Sequence, residues 1–336
     1  MQYKILGKTG LKVSVIGFGG IPIQRLSMDE AKKVIWKAEE MGINFIDTAR
    51  GYTISEEYIG EALKGRRNQW IIATKSMARD EESMAKDIET SLRNLQTEYV
   101  DLYQMHNVKT QAEYDKVFGE GGAYAALLKA KEQGKIRHIG ASFHDMGMMK
   151  FMMENTAIES VMYPYNIVET QAKELFERAA ELDVGVIAMK PMAGGSIEDG
   201  SLGMKFILGN EHITTAIPGM ASIEEVEANA AAGNGSIVFT SEEERKIEEI
   251  TESLGSEFCR RCGYCAPCPQ EIDIPTMFLL VGYKKRYDLG DWAEARYSGC
   301  KKHAEDCIEC GSCEPRCPYN LPVRKMMADV KAQFGR

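Results

Sequence analysis

A parallel α/β barrel of eight strand–helix units, followed by a small, mostly helical cysteine-rich domain, is the fold this sequence predicts. Three observations carry it. Eight short apolar runs alternate with amphipathic segments over the first 255 residues, the length of 336 suits one barrel of roughly 250 residues plus an appendage, and all nine cysteines lie beyond residue 258.

The strand-like runs fall at 13–17, 44–48, 70–75, 99–104, 136–142, 160–165, 185–190 and 214–218. Between them, Ala31, Val34, Ile35, Ala38 and Met41 recur at spacings of three and four, which puts them on one helix face, and Ser27 with Glu30 supplies a capping box. Met84, Ile88, Leu92 and Leu95 share a second face, Leu175, Ala179 and Leu182 a third, and Ser222 with Glu225 caps the segment after the eighth run. Strands that strictly alternate with helices pair in parallel, and eight such units close most economically into a (β/α)8, or TIM, barrel. An open doubly wound sheet is disfavoured, because Gly17-Phe18-Gly19-Gly20 after the first run lacks the Gly-x-Gly-x-x-Gly dinucleotide fingerprint. A further helix spans 241–254, Gly255 ends it, and the domain boundary is placed there, with 1–255 as the barrel and 256–336 as the cysteine domain. Within the latter, 275–287, 291–303 and 322–334 read as helices.

Eight of the cysteines form two compact runs, Cys259, Cys262, Cys265 and Cys268 before Pro269, and Cys307, Cys310, Cys313 and Cys317 before Pro318. Three thiolates at two-residue intervals can curl around a cuboidal 4Fe-4S cluster, while the fourth, before proline, points to a neighbouring one. Two 4Fe-4S clusters follow; ferredoxin-like geometry implies crossing, so that Cys317 completes the set of the first run and Cys268 that of the second. The first run is one residue shorter before its final cysteine than that spacing, and the alternative is that each run holds its own. Four cysteines inside ten residues would crowd a tetrahedral zinc site, and a disulfide framework suits a short secreted chain better. Cys300 stands outside both runs.

The net charge of −9 argues against nucleic acid as a partner. It is unevenly spread: residues 256–336 hold 13 Lys+Arg against 11 Asp+Glu, leaving 28 against 39 before them. No stretch approaches the roughly 20 apolar residues of a membrane span, and no basic stretch precedes an apolar run at the start, so a cytoplasmic protein without membrane contact is expected.

Active sites of such barrels lie at the C-terminal strand ends. Asp47 lies at the end of the second run and Tyr52 follows it, Lys75 ends the third, and His106 follows the fourth. An acid, a phenol, an amine and an imidazole thus converge. The segment from Asn44 to Gly60, with Ala73-Thr74-Lys75 and Asp101 to His106, resembles the aldo-keto reductase family over residues 7–229, and the cysteine tail resembles that family's iron–sulfur branch. The resemblance implies a nicotinamide-dependent carbonyl reductase or alcohol dehydrogenase. In it Tyr52 gives the proton, Lys75 stabilises the phenolate, Asp47 holds Lys75, and His106 orients a small carbonyl or alcohol substrate.

The same resemblance implies nicotinamide-cofactor contacts from Gly19, Ser142, Met162, Met189, Gly219, Met220, Glu225 and Asn229. Several of these depart from the family pattern. Phe143 stands where asparagine usually follows the serine, Met162 where glutamine is common, and Met189 where tyrosine stacks on the nicotinamide. Gly219-Met220 replaces a Lys-Ser pair that holds the 2′-phosphate of NADPH, and Glu225 replaces an arginine, so both NADH and NADPH stay open. Clusters also imply one-electron exchange with an external carrier such as a ferredoxin, although hydride moves two electrons and no flavin motif is present; the alternative is that they only stabilise the small domain. A different reading keeps the barrel as a scaffold for a binding or regulatory protein.

Overall fold

The computed structural model describes residues 1–235, 237–255, 258–261, 263–286, 289–317 and 319–335; Ser256, Cys262, Tyr287 and Pro318 are among those outside it. By contacts the chain divides into one unit of residues 1–166, 170–191 and 199–238, and a second of 167–169, 192–198 and 239–336. The helix Ser241–Gly255 is therefore grouped with the second unit.

The first unit is the expected barrel. Its strands are β1 (Phe18–Gly19), β2 (Phe45–Asp47), β3 (Ile71–Ser76), β4 (Val100–Met105), β5 (Ile136–Ser142), β6 (Ser160–Pro164), β7 (Gly185–Met189) and β8 (Thr215–Ile217), paired in parallel in chain order. Parallel bridges Ile16–Ala216 and Gly19–Gly219 join the two edges, with Gly17 and Gly19 N–H groups donating to Ala216 O (2.7 Å) and Pro218 O (2.8 Å). A side chain at residue 19 would bring its Cβ within 2.9 Å of the Ile217 and Pro218 carbonyl oxygens, so this closure requires glycine.

The run expected as the first barrel strand is divided: its second half bridges to Ala216 through Ile16, and its first half lies outside the barrel sheet. Lys12–Ser14 pairs antiparallel with Tyr3–Ile5, forming a hairpin beneath the barrel, and β1 begins only at Phe18. Lys8 N–H donates to Asp183 O, and Asn44 bonds Ser14, so the hairpin lies across the N-terminal strand ends. Leu6 and Val13 are fully buried in one interior cluster with Phe45, Ala73, Leu102, Met162, Ile187 and Ile217. Their apolarity plugs the barrel.

The helices follow their sequence signals. Ser27 Oγ accepts from Glu30 N (3.3 Å) while the Glu30 carboxylate accepts from Ser27 N (2.8 Å), and Met28–Glu40 buries Ala31, Val34, Ile35 and Ala38. Glu81–Asn94 buries Met84, Ile88 and Leu92. In Lys173–Glu181 the core residues are Phe176 and Ala179, with Leu175 and Leu182 only half-buried. Two helices, Gln111–Phe118 and Ala123–Glu132, fill the interval after β4.

In the second unit, helices Ile274–Arg286, Gly290–Ser298 and Val323–Phe334 bury Met277, Leu280, Ala293, Met327 and Val330 in one apolar cluster. The Tyr297 ring stacks on Phe334 at 4.4 Å, and its hydroxyl donates to Glu305 at 2.5 Å. Among the described residues no helix is long and apolar enough to cross a membrane.

Candidate active site and cysteine site

Register assembles the barrel site. Asp47 pairs with Ala73 and Lys75 pairs with Gln104, and because alternate residues of a strand share a face, Asp47, Lys75 and Gln104 point inward with Phe45, Ala73 and Leu102. A polar layer thus lies next to the apolar one along the strands. His106, two residues beyond Gln104, continues the same face and is half-buried.

Within that layer Lys75 is 1% exposed and Asp47 2%. Lys75 Nζ donates to Asp47 Oδ2 at 2.5 Å and to Thr48 O at 2.7 Å, and Gln104 Nε2 donates to Asp47 Oδ1 at 3.1 Å. Burial pushes the Lys75 amine below its ordinary pKa and the Asp47 carboxyl above its own, while their mutual attraction opposes both shifts. Removing either partner would leave the other charge buried and unpaired.

Tyr52 comes from the loop between β2 and Ser55–Ala62. Its ring centroid lies 4.9 Å from Lys75 Nζ, and the His106 ring stands edge-on at 6.2 Å with an interplanar angle of 86°. Glu56, 1% exposed, anchors this loop: its carboxylate accepts from Arg50 Nη1 (2.6 Å), Thr74 Oγ1 (2.8 Å), Ser91 Oγ (2.7 Å) and Asn94 Nδ2 (3.2 Å). The structure therefore brings Asp47, Tyr52, Lys75 and His106 together. Sequence reasoning assigned no role to Gln104 or Glu56. Strand alternation from His106 points to Gln104, whereas Glu56 reads in sequence as an ordinary acid at a helix start.

The residues expected around the cofactor are more dispersed. Ser142 is buried, its Oγ accepting from Asn107 N at 2.9 Å. Met162 has no exposed surface and belongs to the apolar interior cluster, against which half-buried Met189 packs. Gly19 and Gly219 meet at barrel closure, and Met220 is fully buried. Ser222 Oγ caps Ile223–Ala232 by accepting from Glu225 N (3.2 Å), the Glu225 carboxylate accepts from Ala221 N (2.6 Å), and Asn229 Nδ2 donates to Glu225 O (2.8 Å).

In the second unit, Cys268 from the first run lines one cavity with Cys307, Cys310 and Cys313 from the second. Cys259, Cys265 and Cys317 are half-buried against the unit's apolar cluster, as is Cys300. Cys262 lies outside the described residues, so the set expected to be completed by Cys317 is seen only in part. Among the described residues no three His, Cys, Asp or Glu side chains gather to hold a single metal ion. Four thiols spaced around a shared cavity suit a cluster whose ligands sit at its corners.

Comparison with known proteins agrees. Residues 258–322 match the 4Fe-4S dicluster domain, and residues 15–205 the aldo/keto reductase family. The L-galactose dehydrogenase of Arabidopsis thaliana is 28% identical over 283 residues, covering 69% of this chain and 88% of that protein. Among solved structures, the holo form of aldo-keto reductase AKR11C1 from Bacillus halodurans superposes with a TM-score of 0.63 at 27% identity, over 74% of this chain and 96% of that one. An aldo-keto reductase from Klebsiella pneumoniae, solved in complex with NADPH, shares the fold with a TM-score of 0.64 at 24% identity, over 75% and 96%. With the family matched over more than half its length, this chain is a member of the aldo/keto reductase family that carries a 4Fe-4S dicluster domain after its barrel.

Proposed function

We propose that the barrel catalyses nicotinamide-dependent reduction of a small carbonyl compound, or the reverse oxidation, with Tyr52 as proton donor. The observation that carries this reading is the buried Lys75 ammonium, held by Asp47 and Thr48 and 4.9 Å from the Tyr52 ring. A carbonyl carbon that gains hydride leaves an alkoxide, so a donor must stand at the oxygen. Free phenol, with a pKa near 10, gives up its proton reluctantly at neutral pH; an ammonium beside it stabilises the phenolate. Lys75 performs that task, Asp47 and Gln104 keep it in place, and His106 hydrogen-bonds the carbonyl oxygen and fixes its angle. The nicotinamide, when bound, supplies the hydride.

Ser142, Met189, Met220, Glu225 and Asn229 are the residues we assign to the dinucleotide, with Met162 and the glycines 19 and 219 supporting the pocket wall. The Klebsiella protein binds NADPH; in this chain the Glu225 carboxylate takes the Ala221 amide and adds negative charge where a 2′-phosphate would need a cation. The donor set therefore fits NADH at least as well as NADPH.

For the second unit we propose two 4Fe-4S clusters, one on Cys259, Cys262, Cys265 and Cys317, the other on Cys307, Cys310, Cys313 and Cys268. The shared cavity of the latter four supports the crossing. Such clusters supply one-electron transfer, here with an external carrier such as a ferredoxin, and they add cohesion to a unit with one small apolar core.

The test is Tyr52→Phe in anaerobically purified protein. Turnover of aldehydes should fall by about 10²- to 10⁴-fold, the usual contribution of a general acid, with NADH and NADPH affinities within about twofold of the parent. Unchanged turnover removes Tyr52 from its role, and failure of the parent to bind either nucleotide would favour the scaffold reading.

A further inference from the structure

The two cysteine runs repeat one backbone and differ in one charge. Each reads Cys-x-x-Cys-Gly-x-Cys. In each, the residue before the second cysteine and the glycine after it occupy the left-handed region: Arg261 (φ 57°) and Gly263 (φ 80°) in the first, Glu309 (φ 55°) and Gly311 (φ 74°) in the second. Turns of this kind gather backbone N–H groups into a concavity that receives anionic groups, iron–sulfur clusters among them. A shared turn with a cation in one copy and an acid in the other makes two similar cradles of different electrostatics.

The cation belongs to the buried copy. The Arg261 side chain is 10% exposed, that of Glu309 68%. Within the second unit the Arg261 guanidinium is held on three sides: Nη2 donates to the carboxylate of fully buried Glu169, Nη1 reaches Cys259 O at 3.4 Å, and the group lies 5.6 Å from the Phe258 ring. Neighbouring Arg260 donates Nε–H to Val168 O at 2.7 Å and stacks at 4.0 Å on Tyr319. That stacking brings the first run to the stretch of chain that carries Cys317, its expected fourth ligand.

One donor is left over. The Arg261 Nε–H is buried and meets no acceptor among the described residues. A guanidinium does not shed its charge, and a buried donor left without an acceptor carries the full penalty of its desolvation, so the group fits a site that offers it one. Thiolate and sulfide are acceptors of the required kind, and Arg261 stands in sequence between two of the ligands. Around the second run the cations are matched by acids instead: Arg324 donates Nε–H to Glu314 at 3.0 Å, and Lys331 Nζ lies 3.9 Å from Glu309.

We propose that Arg261 donates its Nε–H to a sulfur of the cluster held by the first run and thereby makes that cluster the easier of the two to reduce. This rests on the assignment of two clusters above. Reduction adds one electron, breaks no bond and moves no proton. The added charge falls on a group that four thiolates already make anionic; a fixed cation and a hydrogen bond to sulfur stabilise it, while a nearby carboxylate opposes it.

The experiment is a potentiometric titration of the anaerobic full-length protein with dithionite, read by low-temperature spin resonance, with iron and sulfide measured in every variant. The parent should give two unequal midpoints, and Cys310→Ala, which lacks the second run's cluster, should keep the higher one. Arg261→Met should lower the higher midpoint by tenfold or more in the one-electron equilibrium, about 59 mV, and leave the other in place. Arg261→Lys keeps the charge without the planar donor and should fall between the parent and Arg261→Met. Glu309→Gln should raise only the lower midpoint, and by less, because an exposed charge is screened. Unchanged midpoints in Arg261→Met at the parent's iron and sulfide content overturn the proposal, as does a surviving lower midpoint in Cys310→Ala. Should Arg261→Met lose iron, Arg261→Lys decides: a lowered higher midpoint upholds the proposal and an unchanged one overturns it. A parent that holds zinc or a single cluster sinks the two-cluster reading and the proposal with it, whereas two clusters indifferent to residue 261 sink the proposal alone.

Discussion

The two units meet the same demand, the burial of polar reactive groups, by opposite means. In the barrel each charge finds its partner in the chain: Lys75 binds Asp47 and Thr48, Gln104 satisfies the remaining Asp47 oxygen, and Glu56 accepts four hydrogen bonds from three separate elements. In the cysteine unit Cys268, Cys307, Cys310 and Cys313 line one cavity beside an apolar cluster, and the group proposed to join them is not polypeptide. The first site is organised by register and packing. The second is proposed to be organised by the clusters it would hold, so its order would depend on them.

The sharpest way to break this contrast is Lys75→Met. Asp47 would be left buried and unpaired, so the barrel should lose about 3–5 kcal/mol of stability, together with nearly all turnover. Adding Asp47→Asn removes the stranded charge and should restore most of the stability with none of the activity. Thermal unfolding and turnover of both variants check it. Equal melting temperatures for parent and Lys75→Met would mean that the pair does not hold the site as the geometry indicates.

Next in size is the loss of one cluster. Cys268→Ala should remove the iron held by Cys307, Cys310 and Cys313, since Cys268 lines their cavity. Iron analysis and low-temperature spin resonance should show one of two clusters lost, and the survivor should be the one completed by Cys317. Loss of the first run's cluster instead would mean that each run holds its own. In the same contrast, stripping iron from the parent should melt the second unit while the barrel's unfolding transition stays within a few degrees.

How far the sequence revealed these regions follows the same division. Barrel strands β2 to β8 stand near their expected runs, because a strand covered on both faces must be apolar nearly throughout. Only the second half of the first run joins the barrel sheet, and the reason is physical. Val13 is apolar because it plugs the barrel interior with Leu6, and periodicity reports that a residue is buried without saying against what. The gathering of Asp47, Tyr52, Lys75 and His106 could be read because strand ends of parallel barrels share one rim. Glu56 could not, since its partners Arg50, Thr74, Ser91 and Asn94 come from positions that only the fold brings together. The same holds for Arg261 and Glu169, 92 residues apart in sequence. In the cysteine unit spacing alone pointed to the 4Fe-4S dicluster domain that residues 258–322 match, because a cluster dictates ligand intervals directly.

The smallest expected effect is also the one that asks whether the barrel's cofactor pocket is as self-contained as its catalytic layer. Glu225 is bound to Ala221 N at 2.6 Å, at the start of the Ile223–Ala232 helix, where a carboxylate is favoured by the unpaired amides and by the helix dipole. It stabilises the helix and, in the proposed pocket, would repel a 2′-phosphate. Glu225→Arg should therefore shift preference toward NADPH by about tenfold, equivalent to roughly 1.4 kcal/mol, and cost about 0.5–1 kcal/mol of stability through the lost acid at the helix start. Parallel titrations with NADH and NADPH, alongside thermal unfolding, read both terms. A parent that already prefers NADPH strongly would show that cations elsewhere hold the phosphate and that Glu225 serves only the helix.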